Sequence, residues 1–129
     1  TGRCGILPGM DTTPSAHLPT AAVVGVGHLG RHHVRLMASN PAVRFLGAFD
    51  TDAGRLEAVT AEHSAPRLAS LEAAAEAEIV VVATPTVTHR EVAGFLLEHD
   101  CHVLVEKPIA ATVAEARELV ELAAGRERV

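Results

Sequence analysis

The sequence predicts an α/β fold, a doubly wound parallel sheet with helices on both faces. Two observations carry this. Four short runs, 21–26 (AAVVGV), 43–49 (VRFLGAF), 79–83 (IVVVA) and 102–105 (HVLV), are near-continuously apolar and rich in β-branched residues. Strands buried on both faces of a parallel sheet read this way, whereas half-exposed strands alternate. Stretches of helical spacing separate the runs, and such alternation implies right-handed crossovers between parallel neighbours.

Taken in order, residues 1–19 (TGRCGILPGMDTTPSAHLP) have no apolar period and are broken by Gly and Pro. They read as a disordered N-terminal tail, leaving 20–129 as the folded domain. Thr1 stands where a methionine would start a chain, and Met10 offers an alternative start. The first strand runs into a glycine-rich turn that opens a helix, and the second ends at Asp50. Residues 66–69 are a candidate fifth strand. Val92, Phe95 and Leu96 mark one later helix; Val113, Ala116, Leu119, Val120 and Ala123 mark another. Both starts carry a capping-box pattern, Thr88 with Glu91 and Thr112 with Glu115, able to satisfy orphan N–H groups of the first turn.

Composition narrows the function. With 129 residues the chain is one domain in length and buries roughly two-thirds of its unfolded surface. Hydrophobic residues make up 48% but aromatics only 2%, with no Trp or Tyr, so the core is aliphatic and no platform exists for stacking bases. A formal charge of −5 and the lack of a basic run argue against nucleic acid or an anionic membrane as partner. No apolar segment approaches the ~20 residues a membrane-spanning helix needs, and nothing resembles a secretion signal. Cys4 and Cys101 match no metal-ligand spacing and read as free thiols of a cytoplasmic protein.

The chemistry gathers at strand ends. Gly25-Val26-Gly27-His28-Leu29-Gly30 follows a strand, opens a helix, and precedes Asp50 by twenty residues counted from Gly30. That is the context a dinucleotide fingerprint requires. Gly25 permits the tight turn, Gly27 lets the backbone approach a pyrophosphate, and Gly30 lets helix and strand pack closely. The helix start offers N–H groups and partial positive charge to phosphate. Asp50 is placed to accept from the ribose hydroxyls. The plainer alternative is a glycine turn without a ligand. His28 and His32 lie at i, i+4, but no carboxylate or thiolate completes a metal set, so no metal is expected. His28 lines the pyrophosphate loop, while His32 and His33 sit on the first turns of the helix.

Thr84, Pro85 and Thr86 follow the third strand and lead through Thr88 to His89. In a doubly wound sheet this end borders the crevice where ligands bind. Alternatively, His89 is a helix-start residue bonded to local backbone. After the fourth strand come Glu106, Lys107 and Pro108. Of eleven Lys and Arg residues, ten are Arg, and Lys107 is the single lysine. An ammonium offers mobile protons and a tunable pKa, whereas a guanidinium stays charged. A role in proton transfer at the crevice therefore accounts for a lysine there; a chance surface residue is the alternative. Pro108 fixes the turn, and the sequence leaves its peptide isomer open.

GVGHLGRHH, the strand ending in Asp50, TPTVTH and VLVEKPIA, in this order, resemble the N-terminal half of the Gfo/Idh/MocA family of NAD(P)-dependent oxidoreductases. The resemblance covers about residues 20–129, and the EKP motif is its most specific part. It implies a Rossmann-type fold binding NAD, with NADP not excluded. It also implies that Gly25, Gly27, Gly30, Asp50, Thr84, Pro85 and His89 shape the cofactor cleft. By the same resemblance Lys107 assists proton transfer while hydride moves, held by Glu106 and Pro108. The implied substrate is a secondary alcohol of a sugar, inositol, other polyol or nucleotide-sugar. Family members continue into a sixth strand and a substrate domain that often forms the oligomer interface. This sequence stops near that strand's start, so the 129 residues alone are expected to be inactive. The alternative is a non-catalytic nucleotide-binding module.

Overall fold

A computed structural model describes residues 17–129. Four strands, β1 (Thr20–Val24), β2 (Arg44–Phe49), β3 (Ile79–Val82) and β4 (His102–Val105), form one parallel sheet in the order β2-β1-β3-β4. Five helices accompany them: α1 (Gly30–Ala38), α2 (Ala53–Glu62), α3 (Leu71–Ala74), α4 (His89–Glu98) and α5 (Val113–Gly125). Alternate strand residues serve opposite faces. Val23 and Val81 pack with Val34 of α1 and with Leu56 and Val59 of α2. Ala22, Val24, Val80 and Val82 pack on the other face with Ala74 of α3 and Leu96 of α4. This two-sided burial is why the strand runs do not alternate. Val80, Val81 and Val82 are wholly buried, each contributing roughly 1.5–3 kcal/mol.

Several local expectations are revised. The strands β1 and β3 stop before Gly25 and Ala83, where the backbone turns outward. Residues 66–69 form no strand; Arg67 makes one isolated bridge to Ala48. Gly47, at φ +140°, explains the approach, because a Cβ there would stand 2.6 Å from the Pro66 carbonyl oxygen. Thr88 does not cap α4: Thr86–Thr88 is a turn of 3-10 helix, and the Thr88 hydroxyl lies 2.7 Å from the Pro85 carbonyl and 2.8 Å from Thr84 Oγ1. Thr112 does cap α5, accepting from the Glu115 N–H at 3.1 Å. In that helix Leu119 is buried, but Val113 and Val120 are 71% and 60% exposed. The buried stripe is narrow because α5 packs on α4 and the flank of β4.

Of the segment read as a tail, 1–16, with Cys4, lies outside the described residues. Residues 17–19 are engaged: His17 Nε2 is 3.0 Å from Glu78 Oε2, and the Pro19 carbonyl accepts from the Arg44 N–H. Cys101 is free and buried, and burial pushes its thiol up. At the outer edge of β4, the Val103 N–H donates to the Val129 carbonyl at 2.8 Å, where the sequence placed the start of a further strand. Among the described residues no helix is long and apolar enough to cross a membrane.

Candidate cofactor cleft

The strand order puts the site between β1 and β3. From β1 the chain crosses to β2 on one side, and from β3 it crosses to β4 on the other. Their C-terminal ends therefore diverge into a crevice. It is a cleft of about 880 Å³, within the range of small-molecule sites. Its walls include Gly25, Gly27, His28, Leu29, Asp50, Thr84, Pro85, Thr86, His89, Glu106 and Lys107, so residues from 25 to 107 converge there. Gly30 and Pro108 lie behind this lining and act on the backbone.

The three glycines do different things. Gly25 adopts φ +94° and donates its N–H to the Phe49 carbonyl at 2.8 Å. A Cβ there would fall 2.6–2.8 Å from the Ala83 carbonyl and the Thr84 nitrogen, so the turn fits only by touching the end of β3. A Cβ on Gly30 would overlap the Gly25 carbonyl oxygen and stand 3.4 Å from the Ala83 Cβ. Gly27 is the contrast. A Cβ there would meet only an Arg55 guanidinium nitrogen, at 3.8 Å, which leaves the backbone open to a ligand. Immediately beyond, α1 begins after its N-cap residue Leu29, with no side-chain cap and no acidic residue in its first turn. An uncapped helix start beside an open glycine suits an anion such as a pyrophosphate.

Asp50 directly follows β2 and does more than the sequence assigned to it. Its Oδ2 accepts from the Val26 N–H and its Oδ1 from the Asp52 N–H, both at 2.8 Å, so the carboxylate braces the glycine turn. Arg55, half-exposed on α2, brings its Nε to 3.7 Å from Asp50 Oδ2 and also approaches Asp52. No residue pattern points to Asp50 as a brace, since the partner is a backbone N–H.

Opposite the glycine turn, His89 is 1% exposed. Its Nε2 lies 2.9 Å from the Thr84 carbonyl and its Nδ1 3.0 Å from the Pro108 carbonyl. The ring is at the crevice, yet its nitrogens face backbone carbonyls, so it ties the end of β3 to the loop after β4. That loop carries Lys107, exposed at the rim, with a cis peptide to Pro108. The Glu106 N–H is held by the Val82 carbonyl at 2.9 Å, and Glu106 Oε2 lies 2.6 Å from His33 Nε2 of α1. The hydrogen bond from His33 holds the Glu106 carboxyl below its usual range, against the opposing effect of burial.

An apolar wall went unrecognised in the sequence. Leu71, Val92 and Phe95 line the cleft from α3 and α4. The short α3 had a signal in Ser70, whose hydroxyl accepts from the Ala73 N–H, and α2 had one in Asp52, which accepts from the Arg55 N–H.

Residues 20–129 match the family model described as an oxidoreductase family with an NAD-binding Rossmann fold. The chain is 38% identical over 114 residues to UDP-N-acetylglucosamine 3-dehydrogenase of Acidithiobacillus ferrooxidans, covering 88% of this chain and 36% of that protein. It is 39% identical over 117 residues to inositol 2-dehydrogenase 1 of Saccharopolyspora erythraea, covering 83% and 34%. Crystals of the Acidithiobacillus ferrooxidans enzyme superpose with a TM-score of 0.82 over 88% of this chain and 37% of that one, at 35% identity. GenD2 from gentamicin A biosynthesis, solved in complex with NAD, superposes with a TM-score of 0.80 at 30% identity, covering 87% and 33%. The chain thus spans about a third of the length of these relatives.

Proposed function

The chain belongs to the Gfo/Idh/MocA oxidoreductases as their NAD-binding Rossmann domain, and we propose that it carries the cofactor for hydride exchange with a secondary alcohol. A sugar, inositol or nucleotide-sugar substrate is proposed from the relatives' names. The observation that carries the proposal is one cleft with an open glycine turn and uncapped helix on one side and the single lysine on the other.

The residues divide the work. The amides around Gly27 and the start of α1 would hold the pyrophosphate, and Asp50 would accept from a ribose hydroxyl while bracing the turn. Leu71, Val92 and Phe95 offer apolar surface for the adenine ring. NAD, when bound, supplies the hydride acceptor. In oxidation Lys107 Nζ would take the hydroxyl proton as the carbinol C–H bond gave up its hydride; in reduction it would return that proton. His89 and Glu106 hold the loop from which Lys107 reaches.

Titrating the purified chain with NAD(H) and NADP(H) by calorimetry tests this. NAD(H) is expected to bind more tightly, because the Asp50 carboxylate bonds a 2′-hydroxyl and repels a 2′-phosphate. Charge-assisted hydrogen bonds of this kind contribute roughly 1.5–3 kcal/mol. Arg55 is the opposing influence, and tighter NADP(H) binding would assign the site to Arg55 instead. The same 129-residue preparation is expected to bind without turnover against a sugar and polyol panel. Substrate positioning supplies about 7–11 kcal/mol in such reactions, and the relatives are about three times longer.

A further inference from the structure

We propose that His33 is a positioning residue for Lys107, acting through Glu106. The inference rests on the reading of Lys107 as the proton-handling group, although the contact that carries it does not. His33 lies on the first turn of α1, the helix whose start faces the cleft, and its Nε2 sits 2.6 Å from Glu106 Oε2, 73 residues later. The two side chains are only 21% and 23% exposed, so this is a sheltered contact rather than a surface pair. Contacts this short are the charge-assisted ones, about twice as strong as neutral hydrogen bonds.

What makes the pair more than a link is its place in the loop. Glu106 is fixed at its N–H by Val82 and at its carboxylate by His33, while the Pro108 carbonyl meets His89. Lys107 is the residue between these anchors. The Lys107 backbone N–H and ammonium also favour the charged Glu106 carboxylate. Any change in the His33–Glu106 contact therefore reaches Lys107 through one carboxylate. The same histidine ties Lys107 to the helix proposed to bind the pyrophosphate, coupling the two ends of the cleft. The charged and titratable groups that bear on Glu106 are His33 and Lys107, and His32 interacts electrostatically with His33 on α1. The hydrogen bond from His33 favours the Glu106 carboxylate, so the contact persists above the ordinary carboxylate range and is lost as pH falls through the lowered value.

The single lysine gives a direct readout. Labelling the chain with ¹⁵N-lysine yields one backbone amide signal, that of Lys107. Recorded without cofactor at neutral pH, the wild-type signal sets the reference. His33→Gln keeps a donor near the Nε2 position, so its signal should lie near the wild-type one. His33→Ala should displace the signal, and His32→Gln, which leaves the contact intact, should not. A His33→Ala signal superposing on wild type would overturn the proposal, as would a His32→Gln signal displaced as far. Should His33→Ala fail to fold, His33→Phe, which keeps a ring but no donor, takes its place. Failure to bind NADH would reject the cofactor reading while leaving this result intact, since the experiment contains none.

Discussion

Lys107→Met is expected to lower the catalytic rate of an active oxidoreductase containing this domain about 10²–10⁴-fold, the usual contribution of general acid–base assistance. Its NAD affinity should stay within a few-fold, because the dinucleotide contacts proposed here lie across the cleft at the glycine turn and Asp50. Lys107→Arg is expected to fail nearly as badly. A guanidinium keeps the positive charge but does not release its proton at working pH. Steady-state kinetics and cofactor titration on both variants separate the two possible jobs of this residue. If Lys107 only balances charge beside the cofactor, Arg retains most activity and Met weakens NAD binding.

Gly30→Ala is expected to be the most damaging small substitution in the domain. Its Cβ would overlap the Gly25 carbonyl oxygen, a backbone atom already fixed between Phe49 and the end of β3. Overpacking typically costs about 1–3 kcal/mol when side chains can shift. Here they cannot, so a loss at or above ~3 kcal/mol is expected, a large part of a typical domain's ~5–15 kcal/mol. Gly27→Ala should behave differently. Its Cβ meets only the tip of Arg55, so stability should stay within about 0.5 kcal/mol of wild type. NAD binding should nevertheless fall about tenfold or more, since the methyl occupies the approach of the pyrophosphate, and tenfold is 1.4 kcal/mol. Urea midpoints and NAD titrations for both variants check the pair. Equal stability losses would contradict the roles assigned to the two glycines.

Much of this architecture was legible in sequence because burial on both faces leaves a plain mark. Val80–Val82 and Ala21–Val24 had to be apolar throughout, and glycines following such a run admit few geometries. The lone lysine stood out against ten arginines. What stayed illegible depended on backbone groups, on packing, or on partners far away in sequence. Thr88 matches a capping box, but the Pro85 carbonyl and Thr84 hydroxyl engage it first. Asp50 reads as a ribose ligand, while its role as a brace depends on the Val26 N–H across a turn. Val113 and Val120 keep helical spacing, but α5 has too little to pack against for a wide buried stripe. The His33–Glu106 contact joins residues from two motifs that sequence reads separately. Only the β2-β1-β3-β4 order brings α1 alongside the loop after β4.

The most direct test of the account is a crystal structure of the chain with NAD bound. The pyrophosphate is expected within hydrogen-bonding distance of the amides between Gly27 and Gly30. The adenosine ribose should lie against Asp50, and the nicotinamide on the Lys107 side of the cleft. A dinucleotide bound elsewhere, or with its nicotinamide turned away from Lys107, would contradict it.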